Sequence, residues 1–538
     1  MVPTEYVLLI ALAYLVYLFL KYHKRAIGTS KRKDSNFVEL PGWPILGQIP
    51  EVILNFACPL ELGLTRHLKF RPGWSVTMPG LRLIDISKPE WIQHVQKTNF
   101  QNYVKGSRFH SVMGDVFGDG IFVTDGAQWK RSRHVLAPLF TVTTFKECIA
   151  PSLRTNLDAL LRGMELASET RPVLDICDVS FKFSMNLLVH TILGKDIGQL
   201  DELHLPSTQS STHTPDSIFV EAFDFAQKQL DRRFALLTLW KFVEKVDVSA
   251  GRKIRSACKT LDNYTTALIE ERLAMLDLDA EEYMENPTHL LGFFLKFQKK
   301  LGGNLSREEM KETFLNLIIA GRDSTAEALT WAFYHLLMNA DVVAKIREEA
   351  SAMIGKDRGG QVTYENNKEF KWAHAVFLET LRLHPSVPKN VRFALRDEKI
   401  PNGPVIEAGD AVRWSDWAMG RDPELWGEDC LEFRPARWID DNGKIKQFSQ
   451  FKFHAFNGGP RTCLGMNLAI FQSVSMIVEV FQNFDLQLAP EWLEHVPKTP
   501  IVGNPSSISY LTPKYKPSLT LPMAQPMMVT IKRNQGSG

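Results

Sequence analysis

The sequence predicts a mainly α fold with small β-sheets (α+β), carried behind an N-terminal membrane helix. Three observations predict it. An uncharged apolar run opens the chain at Tyr6–Leu20, helical patterning dominates residues 88–385, and from Pro385 onward short segments rich in Pro, Gly and Trp take over. The 538 residues are 44% hydrophobic and 23% charged, which is globular and excludes a disordered or fibrous chain. Lys and Arg number 63 against 61 Asp and Glu, so the chain lacks the global basic field that nucleic acid selects. The cysteines at 58, 148, 177, 258, 430 and 463 are too sparse for a disulfide framework and suit a reducing compartment.

Taken in order, Tyr6–Leu20 spans roughly 22 Å as a helix, a little short of a ~30 Å hydrocarbon core. Tyr6, Tyr17 and a snorkelling Lys21 extend its effective length. Glu5 precedes the run and no small-residue cleavage site follows, which favours a retained anchor over a cleaved signal peptide. Lys21, Lys24, Arg25, Lys31, Arg32 and Lys33 come next, and the positive-inside bias then places the rest of the chain in the cytosol. Residues 1–25 are therefore read as the anchor and 26–47 as a basic, Pro/Gly-rich linker ending in Leu40-Pro41-Gly42-Trp43-Pro44-Ile45-Leu46-Gly47. Residues 48–538 form one large domain.

Residues 75–87 alternate around Pro79-Gly80 and predict a hairpin. Breaks in the helical region are expected at the polar loop 205–217 and at Gly302-Gly303-Asn304. Ser306 with Glu309 makes a capping box, and no proline occurs from 288 to 384, so one helix of about 33 residues and ~50 Å is expected over Arg307–Asn339. Its middle is apolar on several faces, which predicts a course through the interior. Gly321 and Asp323-Ser324-Thr325 interrupt that apolar surface. They fit either a kink with self-satisfied hydroxyls or a buried acid–hydroxyl group that relays protons.

Near the C-terminal end, Phe456-Asn457-Gly458-Gly459-Pro460-Arg461-Thr462-Cys463-Leu464-Gly465 forms a tight loop that delivers Cys463 to the start of an apolar helix. Arg461, turn amides and a helix N-terminus beside the thiol predict a depressed pKa and a thiolate able to bind a metal. A half-buried structural cysteine is the competing reading of the loop by itself. No Cys or His stands at zinc-finger spacing from it.

The spacing Phe456-x-x-Gly459-x-Arg461-x-Cys463-x-Gly465 resembles the haem-binding loop of the cytochrome P-450 monooxygenases. Four further segments resemble motifs of that family in the same order along the chain. They are Trp129-x-x-x-Arg133, Ala320-Gly321-x-Asp323-Ser324-Thr325, Glu379-x-x-Arg382, and Phe433-Arg434-Pro435-Ala436-Arg437-Trp438. Five in order behind an anchor and a proline-rich linker cover nearly the whole chain, as expected of the membrane-anchored, microsomal type.

The resemblance implies a cytochrome P-450 fold enclosing haem b, with residues 48–538 as the haem–thiolate monooxygenase domain. Cys463 would be the axial thiolate and metal ligand, held in a loop with Phe456 and Gly465. Trp129, Arg133, Arg392 and Arg461 would meet the propionates, Arg392 being placed by its offset from Arg382. Asp323, Ser324 and Thr325 would hand on protons for oxygen activation, with Ser324 standing where the family more often has Thr. Glu379, Arg382 and Arg437 would form a structural ion network. Electrons would come from a separate NADPH–cytochrome reductase, with cytochrome b5 as a further donor, on the endoplasmic reticulum membrane.

Phe117-Gly118-Asp119-Gly120-Ile121-Phe122 and Asp125-Gly126 resemble the alkane and fatty-acid ω-hydroxylase branch of fungi and plants. The implied reaction is hydroxylation of an apolar molecule by O2, in a pocket drawing on Met113, Val116 or Phe117, and Ile318 or Ile319. A steroid, terpenoid or other polycyclic lipid is the alternative substrate, and a non-catalytic haem-fold membrane protein the alternative of another class.

Overall fold

The structure is a computed structural model describing residues 4–34, 37–204, 214–236, 240–278, 287–301, 306–355, 361–500 and 511–534. Of the break expected over 205–217, residues 205–213 lie outside the described residues and Pro215–Ser217 already belong to the next helix, which starts earlier than the polar composition predicts; Gly302-Gly303-Asn304 and the C-terminal Gly-Ser-Gly also lie outside the described residues. Helix α1 (Thr4–Lys21) carries the apolar run, and its large side chains stand exposed. A second apolar helix of spanning length, Ile176–Leu193, is 72% buried inside the fold and belongs to the core. Residues 26–47 do not hang free. The Ala26 N–H donates to Thr77 Oγ1 at 3.0 Å, Arg32 to the Val405 carbonyl at 2.9 Å, and the Ser75 N–H to the Val38 carbonyl at 2.8 Å.

Two short helices follow, α2 (Ile49–Leu54) and α3 (Pro59–Phe70), each opened by proline where a missing N–H is tolerated. The expected hairpin is β1 (Gly73–Met78) and β2 (Leu81–Ile86), turning at Pro79-Gly80. With β3 (Tyr103–Val104) they join a five-stranded sheet completed by distant residues. The helical body then runs through α4 (Gly106–Phe117), α5 (Gly126–Leu136), α6 (Ala150–Thr170), α7 (Ile176–Leu193), α8 (Pro215–Leu236) and α9 (Val248–Leu278). The strand β4 (Val173–Asp175) lies between α6 and α7.

The long helix is α10 (Arg307–Met338), one residue shorter than expected because Asn339 caps it. Its capping box forms as the sequence predicts: Ser306 Oγ accepts the Glu309 N–H, and Glu309 Oε2 accepts the Ser306 N–H at 2.9 Å. The helix runs unbroken through Gly321, where an added Cβ would meet Leu188 of α7 at 2.9 Å. Glycine gives the Leu188 side chain room to pack against the helix there. Phe183, Leu187 and Val189 of α7 and Phe314, Leu329 and Phe333 of α10 are fully buried. Each such side chain contributes about 1.5–3 kcal/mol, which outweighs the poor propensity of the glycine.

α11 (Ala340–Ile354) and α12 (Lys371–Leu383) lead to β5 (Asn390–Ala394) and β6 (Ala411–Trp414). The sheet order is β1-β2-β6-β5-β3, with β2 and β6 parallel and the other neighbours antiparallel. Arg392 lies opposite Val412 in this register. After the cysteine loop, α13 (Met466–Asn483) enters the core. β7 (Phe484–Leu488) and β8 (Met528–Arg533) close a three-stranded sheet in which β8 pairs with both β4 and β7.

Candidate active site

The cysteine loop is pinned before it reaches the thiol. Asn457 and Gly459 adopt left-handed backbone, with φ of 62° and 64°. At Gly459 an added Cβ would meet the Gln96 carbonyl at 2.5 Å, so only glycine fits. Gln96 in turn donates to Asn457 Oδ1 at 2.9 Å, and the Cys463 N–H donates to the Phe456 carbonyl at 2.8 Å. The result is an exposed Cys463 immediately before α13.

The expectation of a depressed thiol pKa is corrected. Desolvation by the surrounding protein pushes Cys463 up, while the Gly465 N–H and the Arg133 charge pull against that rise. Arg461 does not face the sulfur. Its guanidinium pairs with Asp125 at 2.7 Å, donates to the Thr124 carbonyl at 2.8 Å and lies 4.6 Å from the Trp129 ring.

Around this loop the fold gathers cations with little to balance them. Arg461 and Arg392 are lowered to about 10 and about 9, in each case by desolvation first. Lys105 is lowered well below its ordinary value by desolvation, with Arg392 and Arg461 adding repulsion. Arg133 on α5 is also lowered by desolvation, and it acts on both Arg461 and Cys463. Among the described residues the one carboxylate set among these four is Asp125, which also accepts the backbone N–H groups of Lys105 and Gly106. Sequence reasoning missed Lys105 and gave Asp125 no role. Asp125 sits at the N-cap position of α5, but its side chain reaches the segment 20 residues earlier instead of capping the helix.

α10 presents one open stripe. Leu317, Ala320, Gly321 and Ser324 are half-buried at i, i+3, i+4 and i+7, while most other side chains around them are buried. Ser324 Oγ donates to the Ala320 carbonyl at 2.7 Å. Thr325 is turned away from the stripe, its hydroxyl accepting from Gln472 of α13 at 2.8 Å. Asp323 is buried against Arg322 at 3.3 Å, and Arg322 reaches the exposed Asp224 at 2.6 Å. Met113, Val116, Phe117 and Ile318 pack in the core and do not form an open wall. Ile319, Ile121 and Phe122 are only partly buried.

Comparison with known proteins decides the family. The family model for cytochrome P-450 matches residues 39–517. The chain belongs to the cytochrome P-450 family. It is 39% identical to cytochrome P-450 monooxygenase cyp1 of Mycosarcoma maydis over 523 residues, 96% of this chain and 78% of that protein. It is 29% identical to cytochrome P-450 86B1 of Arabidopsis thaliana, covering 85% of this chain and 82% of the relative. Cytochrome P-450 94B1 of the same plant is 28% identical, over 88% and 87% respectively.

This cytochrome P-450 is thus a monooxygenase, and its family binds haem. The residues present fit that group. Four desolvated cations around one carboxylate call for further anionic charge, which two propionates would supply. At Gly465 an added Cβ would meet only Cys463 Sγ and Phe140, both at 3.9 Å, so the backbone leaves the sulfur approachable. When bound, haem would supply oxygen activation, and Cys463 is the residue that would hold it through its sulfur.

The remaining trio lies beneath the loop. Arg382 and Glu379 of α12 are fully buried and pair at 2.7 Å, and Arg437 meets the same carboxylate at 3.4 Å. Trp438 Nε1 and the Arg434 N–H also donate to Glu379, at 2.8 and 2.9 Å. Asp429, which the sequence reading did not place in the trio, holds Arg437 at 3.0 Å.

Asp323 carries a stability prediction. Desolvation raises its pKa from 3.8 to about 6, Arg322 opposing and Asp224 and Asp231 adding to the rise. Glu327, one turn on, is buried and coupled to it electrostatically. A carboxyl whose folded pKa exceeds its unfolded one destabilises the fold as pH rises from about 4 to 6, and fully above that. Asp323→Asn is expected to stabilise the protein by about 1–3 kcal/mol at pH 7 and by less at pH 5. Thermal unfolding at the two pH values checks this.

Proposed function

We propose that this cytochrome P-450 hydroxylates a fatty acid or alkane, with haem b held by Cys463. Electrons are drawn from a separate NADPH–cytochrome reductase, with cytochrome b5 as a further donor. The observation that carries the reading is the open stripe on α10, where Leu317 and Ala320 offer an apolar wall beside a single hydroxyl, Ser324. An apolar ligand needs such a wall, and hydroxylation needs a proton donor next to it. Trp129, Arg133, Arg392, Arg461 and Lys105 hold the propionates, while Phe456 and Gly465 shape the loop around the thiolate.

Ser324 is the hydroxyl that hands on the proton. Asp323 is oriented by Arg322, whose guanidinium also pairs with the exposed Asp224 and holds the acid in place without carrying its proton. Thr325 serves the packing of α13. Residues 1–25 anchor the protein in the endoplasmic reticulum membrane, the linker 26–47 joins the body, and residues 48–538 are the cytosolic catalytic domain. The exposed apolar face of α1 supports this arrangement.

Reconstitution with a reductase and NADPH, followed by a screen of fatty acids, alkanes and steroids by product mass and position, tests the reaction. Oxidation of steroids alone would overturn the substrate class. In the same assay Ser324→Ala is expected to lower product formed per NADPH by roughly 10-fold or more, with peroxide rising in its place. Unchanged coupling in that variant, with loss in Thr325→Ala, would move the proton step to the other hydroxyl.

A further inference from the structure

Three buried polar side chains from distant parts of the chain meet beneath the cysteine loop. Gln96 stands on the helical turn His94–Thr98, Asp416 opens the short helix Asp416–Met419 just after β6, and His454 lies on the segment that enters the loop. His454 joins the other two. Its Nδ1 is 3.1 and 3.2 Å from the two Asp416 carboxyl oxygens, and its Nε2 is 2.6 Å from Gln96 Oε1. Asp416 is steadied in turn by Asn390 at the start of β5, whose amide donates to Oδ2 at 3.0 Å. The Trp414 indole N–H stands 3.3 Å from the same Nδ1. Because Gln96 Nε2 is spent on Asn457, Gln96 Oε1 accepts and His454 Nε2 carries the proton.

The links close on themselves. The Asn457 N–H donates to the His454 carbonyl at 2.8 Å, so residue 454 holds Asn457 twice, once by backbone and once through Gln96. Asn457 needs that hold. With φ at 62° it occupies left-handed backbone, which a residue other than glycine keeps only where its surroundings over-determine it. Gln96 is also the bed on which the next two residues lie. An added Cβ at Gly458 would meet Gln96 Oε1 at 3.1 Å, and at Gly459 it would meet the Gln96 carbonyl at 2.5 Å. The place of the Gln96 amide therefore fixes the course of Asn457-Gly458-Gly459, the turn that leads to Cys463.

We propose that His454 is a positioning residue for the axial sulfur. Anchored by Asp416, it fixes the Gln96 amide and, through that amide, the left-handed turn that delivers Cys463. It acts on the loop and not on the reacting atoms. The proposal rests on Cys463 as the haem ligand.

The test separates the two ring nitrogens. Glutamine at 454 puts an amide about where Nε2 stands and keeps the link to Gln96. Asparagine puts one about where Nδ1 stands and keeps only the link to Asp416. The haem-loaded protein and each variant are reduced under carbon monoxide, the lifetime of the red-shifted Soret band is followed at one temperature, and thermal unfolding is recorded beside it. His454→Gln is expected to keep the band within about 2-fold of the wild-type lifetime, and His454→Asn to shorten it roughly 5-fold, the worth of one buried hydrogen bond. A band in His454→Asn as lasting as in His454→Gln overturns the proposal. So do lifetimes that merely follow the unfolding temperatures, because a ring that only fills the core gives that pattern. Should His454→Asn not fold, Gln96→Leu cuts the same link from the other side, and a wild-type lifetime there is equally fatal. Wild-type protein that never shows the band removes Cys463 as the ligand, and this proposal with it.

Discussion

Cys463→Ser is expected to abolish the red-shifted Soret band of the reduced, carbon-monoxide-bound protein and all monooxygenase turnover. The substitution is close to isosteric, so little else should change. The Cys463 N–H bond to the Phe456 carbonyl, the left-handed turn at Gly459 and the Gln96–Asn457 hydrogen bond are independent of the sulfur. What is lost is the ionisable ligand. The protein alone raises the thiol pKa, so on the proposed reading a bound metal would sustain the thiolate, and a serine hydroxyl, far less acidic, has no such recourse. Far-UV circular dichroism close to wild type, together with loss of the band, is the expected pair of results. A serine variant that kept the band would remove Cys463 as the ligand, and folded wild-type protein unable to take up haem would end the monooxygenase reading.

Arg382→Ala is expected to leave little folded protein. Arg382 is fully buried, chelates Glu379 through two nitrogens at 2.7 and 2.8 Å, and donates to the carbonyls of Gly420, Cys430 and Glu432. Its removal strands the Glu379 carboxylate and leaves three carbonyls from two separate segments without their donor. Breaking a buried pair from one side costs about 3–5 kcal/mol, a large part of the ~5–15 kcal/mol that holds a typical domain together. Arg437→Ala should cost less, because Glu379 keeps Arg382, Trp438 and the Arg434 N–H. Soluble yield and chemical denaturation of the two variants measure the difference. Equal losses would mean that Arg437 contributes as much to the network as Arg382 does.

How much of this was legible in the sequence depends on the range of the interactions. The hairpin at Pro79-Gly80, the capping box at Ser306 and the tight loop before Cys463 are written in residues a few positions apart, and they formed as read. The Glu379–Arg382 pair sits on one helix turn and was legible too. Lys105 was not, because its importance comes from lying beside Arg392 and Arg461, hundreds of residues away. Arg461 was misread for the same reason: adjacency to Cys463 in sequence predicted a charge on the sulfur, whereas Asp125 draws the guanidinium aside. The choice between Ile318 and Ile319 for the pocket wall could not be made from sequence because α10 is apolar on nearly every face. Periodicity cannot separate core from pocket there, and only the burial of Ile318 against the openness of Leu317 and Ala320 does.

The linker has a mechanical consequence. Bonding begins at the first residue past α1, where the Tyr22 carbonyl accepts the N–H of Ile45, at the far end of the linker, at 3.2 Å. The Lys24 carbonyl then accepts the Gly42 N–H at 2.8 Å, and Ala26 bonds to Thr77. The described residues after α1 are thus folded back on one another and, from Ala26, tied to the sheet. With α1 in the bilayer, the catalytic body stands on a stiff post instead of swinging on a leash. In that arrangement the described residues of 22–47 would set its tilt and would hold the same face, with the exposed apolar side chains of Val52, Ile53, Leu54 and Phe56, at a fixed height over the lipid.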